Sequence, residues 1–171
     1  KSATFERGPD RIRFHGHVEA GVEIGGRICR RLRFSNAETE RILALISNHM
    51  RFMHLQQMRP SKLKRFLRQA DFGEHLELHR LDCSASHGKL DNYEFAREAL
   101  EDFGEEGLRP TPLVTGKSLI EDGFQAGPSF SQIIEAAEAA QLEGAFDTKD
   151  AGMEWVRLRW SPPAGHPTEG R

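Results

Sequence analysis

Residues 59–88 read RPSKLKRFLRQADFGEHLELHRLDCSASHG, and their spacing decides the class of the fold. Pro60 suits the first turn of a helix, where its missing N–H is not needed. Leu63, Phe66 and Leu67 follow at i, i+3 and i+4, the period of a half-buried helix. Past Phe72 the same period puts Leu78, Leu81, Asp82 and Ala85 on one side of a second helix. Lys62, Lys64, Arg65 and Arg68 crowd the first helix, and Asp82 stands among the leucines of the next. The stretch thus combines a cationic surface suited to a polyanion with a carboxylate near a core that does not need it.

Outward from this stretch the helical period dominates and strand alternation is nearly absent, which predicts an all-α helical bundle. Val18, Val22, Ile28 and Leu32 give the first helix an apolar side, and Gly21, Gly25 and Gly26 within it require close packing by another helix. Ser35 to Glu38 is a capping box opening a helix on Ile42, Leu45, Ile46 and His49. Asp91 and Glu94 form an acidic version of that box before Phe95, Ala99 and Leu100. EGLRPTPLVT, with its prolines and glycine, reads as an extended linker. The expected division is a helical body over 1–104, a linker over 105–115, a small helical region over 116–160 and a flexible tail, SPPAGHPTEGR, over 161–171. In the small region Thr115 caps a short helix, Phe130, Ile133, Ile134 and Ala137 mark a longer one, and Thr148 begins the last.

Net charge is only −2, yet residues 1–68 hold 15 Lys and Arg against 6 acids, and residues 69–171 hold 9 against 20. Such a dipolar chain either offers a basic face to nucleic acid or carries ordinary solvated helix faces. Cys29 and Cys83 lie in apolar helix patterns, as buried thiols of a reducing cytoplasm do. No apolar run approaches the roughly 18 residues of a membrane span, so no membrane partner is expected.

Two groups of side chains can carry chemistry. His17, His49 and Asp82 stand on three successive helices, and such a set can converge on a divalent ion in a bundle; the alternative is that each is satisfied by a hydrogen bond. His15, His54, His75, His79 and His87 read as mostly surface or supporting residues. The second group is basic: Arg27, Arg30, Arg31 and Arg33 on the first helix and Arg59, Lys62, Lys64, Arg65 and Arg68 on the third suit phosphates held without regard to sequence. The phenylalanines mostly sit at core spacing, so base stacking is not expected. TGKS at Thr115 to Ser118 is not a phosphate loop, because the glycine that pattern needs is replaced by Thr111 and no strand precedes it. No Ser, His and acid set has the spacing of a hydrolase triad.

Taken in order, FHGHVEAG, RRLRFSNAE, NHMRF, PSKLKRFLR and LHRLDCSASHG resemble the bacterial CCA tRNA nucleotidyltransferase and poly(A) polymerase family, in the branch whose head precedes an HD-type helical region. TGKSLIEDGFQAGPSFSQIIEAAEAAQLEG resembles that family's C-terminal region. The resemblance implies that the chain is the RNA-binding body and tail, with no catalytic residue of its own. Nucleotidyl transfer from ATP or CTP, with magnesium, would belong to an N-terminal head in the same polypeptide or on a separate chain. It implies tRNA as partner, His17, His49 and Asp82 as a partial HD-type metal set, and Lys1 to Phe5 as the continuation of an HD dyad's turn. An HD-type metal-dependent phosphohydrolase acting on nucleotides or phosphate esters is the alternative.

Overall fold

The computed structural model describes residues 4, 6, 7, 12, 13 and 15–160. The chain-start motif and the expected flexible tail therefore lie outside, or mostly outside, the described residues. Two short strands, β1 (Glu6–Arg7) and β2 (Ile12–Arg13), pair antiparallel with Glu6 opposite Arg13. Eight helices follow among the described residues: α1 (His17–Leu32), α2 (Asn36–Asn48), α3 (Pro60–Leu67), α4 (Phe72–Ser86), α5 (Asp91–Leu108), α6 (Gly116–Glu121), α7 (Ser129–Leu142) and α8 (Lys149–Arg157). A 3-10 segment, His49–Gln57, continues α2. The class is all-α, as the periodicity predicts.

The chain forms two compact units, neither continuous in sequence. Of the described residues, the first takes those up to Gln57 together with Gln69–Ala99, and the second takes Met58–Arg68 and those from Leu100 onward. Helix α3, which sequence reading assigns to the body over 1–104, belongs with α6, α7 and α8. The linker expected over 105–115 also starts later, because α5 runs to Leu108 across a break at Gly104, whose φ of 58° and ψ of −177° are open mainly to glycine.

In the first unit α1 packs on α2, which packs on α4 and continues into the 3-10 segment. A Cβ on Gly25 would lie 2.8 Å from Ile46 Cδ1 and 3.3 Å from Leu43 Cδ2, and one on Gly21 would lie 3.1 Å from Ile46 Cγ2. The glycines are thus the contact that lets α2 approach. The apolar side expected for α1 is only half right: Val18 and Val22 are partly buried, whereas Ile28 and Leu32 are 41% and 58% exposed. The Ser35–Glu38 box forms in full, with Glu38 N–H donating to Ser35 Oγ at 3.2 Å and Ser35 N–H donating to Glu38 Oε2 at 2.8 Å. Asp91, by contrast, lies inside the first turn of α5, and Glu94 N–H donates to the Leu90 carbonyl.

In the second unit Leu63, Phe66 and Leu67 of α3 are buried, as their spacing predicts, and α3 packs on α7. Val114, Leu119, Phe124, Ile133, Phe146, Met153 and Val156 close a core among the later helices. Thr115 caps α6 with Ser118 as its reciprocal partner, and Thr148 caps α8 through Ala151 N–H. Gly152 is buried where α8 meets that core: a Cβ there would lie 2.9 Å from Phe146 Cε2 and 3.0 Å from Val114 Cγ2. Gly152→Ala gains up to ~1 kcal/mol of helix propensity but overpacks a ring that is itself buried, so a net loss of about 1 kcal/mol is expected by urea denaturation.

Candidate nucleic-acid interface

The last turn of α1 carries Arg30 and Arg31, and Arg33 caps it with φ 59° and ψ 38°. Arg33 N–H donates to the Arg30 carbonyl and Phe34 N–H to the Cys29 carbonyl, which closes the helix end. All three arginines are exposed, and none makes an ion pair with another described residue. Arg27, one turn earlier, only approaches Glu23 at 3.8 Å across solvent. Cations here also favour the negative end of the helix dipole, by a few tenths of a kcal/mol each. A left-handed conformation at a non-glycine residue costs about 1 kcal/mol, which the two backbone hydrogen bonds closing the helix end offset.

The basic set on α3 is disposed differently. Arg65 Nη2 donates to Glu138 Oε2 at 2.5 Å and to the Glu135 carbonyl at 3.0 Å. Arg68 shares the same Glu138 carboxylate and donates to the Leu108 carbonyl at 3.3 Å. Lys64 donates to the Leu142 carbonyl at 3.2 Å and lies over the Phe103 ring. Arg59 approaches Glu143, whose Oε1 accepts from buried Ser61 at 2.6 Å. Burial pushes the Glu138 carboxyl up, but the hydrogen bonds from Arg68 and Arg65 outweigh it and hold the group below the ordinary glutamate range. Three cations expected to face a polyanion, Lys64, Arg65 and Arg68, therefore hold α3 to its own unit; Lys62 remains exposed.

The histidines also fall out differently. His17 and His49 come together, edge to face with ring centroids 5.4 Å apart. His49 Nδ1 donates to the Ile46 carbonyl at 2.6 Å, which leaves Nε2 as its acceptor nitrogen. Asp82 does not join them. It is exposed on α4, whose inward side is Phe72, His75, Leu76, His79 and Cys83, one residue out of phase with the expected Leu78, Leu81, Asp82 and Ala85. Among the described residues no group of three His, Cys, Asp or Glu side chains is arranged to hold a metal ion, so the donors present do not fit the implied set.

No family model matches the chain, and no solved structure matches it. Two curated relatives do. An A-adding tRNA nucleotidyltransferase of Deinococcus radiodurans is 29% identical over 176 residues, covering 94% of this chain and 39% of the relative. A CC-adding tRNA nucleotidyltransferase of Thermus thermophilus is 32% identical over 164 residues, covering 91% of this chain and 36% of the relative. Over the segment it spans, the chain is related to the tRNA nucleotidyltransferases. That segment is well under half the length of either relative.

The segment contains two residues that periodicity alone misreads. His75 and His79 are 4% and 7% exposed, not surface groups. His79 stacks on Phe52 with centroids 4.4 Å apart and planes 9° apart, and its ring nitrogens lie 3.6 and 3.7 Å from Cys83 Sγ. Burial pulls both imidazoles below the ordinary histidine value and pushes the Cys83 thiol up, so the rings are held neutral and the sulfur is a poor nucleophile. The signal was available: positions 72, 75, 76, 79 and 83 follow helical spacing once histidine is allowed on the apolar side. No described helix is long and apolar enough to cross a membrane.

Proposed function

We propose that this chain is an RNA-holding helical portion of a tRNA nucleotidyltransferase, and that it grips tRNA phosphates chiefly through Arg30, Arg31 and Arg33. Nucleotide addition from ATP or CTP, with its magnesium ions, is assigned to a nucleotidyltransferase domain outside residues 1–171, in a cytoplasmic enzyme. The single observation carrying the phosphate role is the end of α1. Three exposed arginines without a described acidic partner stand there, two in the last turn of α1 and one at its cap. On α3 the same chemistry is available only from Lys62 and the loosely held Arg59, because Lys64, Arg65 and Arg68 are engaged with α7, the end of α5 and Phe103.

The test is tRNA binding by the full chain across a salt series. Reversing Arg30, Arg31 and Arg33 together to glutamate is expected to weaken binding about 100-fold at low salt. It should also flatten the slope of log affinity against log salt by roughly 2 to 3, about one unit per lost phosphate contact. An unchanged slope removes α1 from the interface. A second substitution separates function from fold: Arg33→Gly relieves the left-handed strain and is expected to raise stability by about 1 kcal/mol while weakening tRNA binding. Denaturation and affinity measured on one preparation check both signs.

A metal-dependent phosphohydrolase keeps one supporting observation, the approach of His17 to His49 with an acceptor nitrogen on His49. The exposure of Asp82 counts against it. Metal analysis of the purified chain and a phosphodiesterase assay with and without Asp82→Ala distinguish this reading from the first.

A further inference from the structure

The chain has two tryptophans, Trp155 and Trp160, and both gather at the end of α8. Their rings lie 5.7 Å apart, partly buried against the second unit's core, and Phe146 approaches Trp155 from the inside at 5.8 Å. On the outside Arg159 lies over the Trp155 indole, 4.0 Å from ring centre to guanidinium carbon, and its Nη1 donates to the Trp155 carbonyl at 3.2 Å. Two contacts thus pin an exposed guanidinium on an aromatic ring. Beside it Leu158 is 78% exposed, an apolar side chain that the packing of α8 does not use.

We propose that this end of α8 is a stacking platform for an unpaired RNA base, a role that rests on the RNA-holding function argued above. A planar cation fixed on an aromatic ring offers a flat, polarizable outer surface, and unpaired bases stack on guanidinium planes and aromatic rings alike. The fixed geometry means little side-chain freedom is lost when a base arrives. Leu158 supplies apolar contact for the base edge or its ribose. A paired base is already stacked on both faces, so the platform selects loops, bulges and single-stranded ends.

Because both tryptophans sit at the platform, their fluorescence reports on it. The full chain is titrated with a single-stranded RNA and with a blunt RNA duplex of matched phosphate number. The wild-type protein is expected to show strong quenching with the single strand and little with the duplex. Arg159→Lys keeps the charge but loses the plane, and should bind the single strand roughly tenfold more weakly with an unchanged salt slope, as loss of one stacked base requires. Near-UV circular dichroism verifies that the variant is folded. Wild-type binding without a fluorescence response, or Arg159→Lys binding as wild type does, overturns the platform while leaving the phosphate grip of α1 intact. Binding of neither RNA by the wild type brings down both readings.

Discussion

Phe52→Ala is expected to lower the free energy of unfolding by about 4 kcal/mol, the largest single-residue effect in the first unit. Phe52 is fully buried and stacks on His79 at 4.4 Å and on Phe72 at 5.9 Å, so truncation opens a cavity between rings that cannot collapse onto one another. The same cavity admits water to the His79 imidazole. Burial is the main reason that group titrates low, with the nearby Asp82 carboxylate raising it and His87 opposing. In the variant its pKa should move back up toward the ordinary histidine value, which a proton NMR titration follows directly. A loss of stability under about 1.5 kcal/mol, or an unmoved His79 titration, contradicts this account of the core. In the wild type the low histidine values carry a sign of their own. Below the ordinary histidine range the unfolded chain takes up protons that folded His75 and His79 refuse, so stability falls as pH drops from there toward their lowered values.

Glu138→Gln is the matching experiment in the second unit. It removes the carboxylate that Arg65 and Arg68 share, leaving Arg65 only the Glu135 carboxylate at 3.7 Å, on side chains that are 30% and 24% exposed. Breaking a fully buried pair costs about 3–5 kcal/mol, and with this much solvent access about 2 kcal/mol is expected. The pH dependence separates this from a simple packing loss. Because the folded carboxyl titrates below the ordinary glutamate range, its contribution is complete above that range and disappears as pH falls through the lowered value. Wild type and variant should therefore differ by denaturant titration at neutral pH and converge under strongly acidic conditions. A difference that persists there means the carboxylate's charge is not what holds α3 to α7. Replacing Glu138, Arg65 and Arg68 together by apolar residues of similar volume should recover much of the loss, since the desolvation cost of three charges goes with them.

The elements of this protein were largely legible in its residues. Pro60, the Ser35–Glu38 box, Thr115 and Thr148 act on backbone groups within a turn of themselves, and helix starts appear where those residues place them. Leu63, Phe66 and Leu67 face inward for the same local reason. Where two phases of one helix were both plausible, as in LELHRLDCSAS, hydrophobicity chose the wrong one. Two buried histidines carry the inward side of α4, and Leu81 is left 51% exposed. That one-residue shift is what separates Asp82 from His17 and His49. The α1 arginines sit where expected, but half of the apolar side assigned to that helix faces water.

Local order alone thus determined the all-α class and most of the helix starts, because capping and 3.6-residue periodicity act between neighbours in the chain. Which cations stay exposed was decided only in three dimensions. Arg65 and Glu138 are 73 residues apart in sequence, and no short-range pattern announces that one neutralises the other. Coulomb attraction depends on distance in space, so Lys64, Arg65 and Arg68 became internal structure, while Arg30, Arg31 and Arg33 at the end of α1 stay exposed.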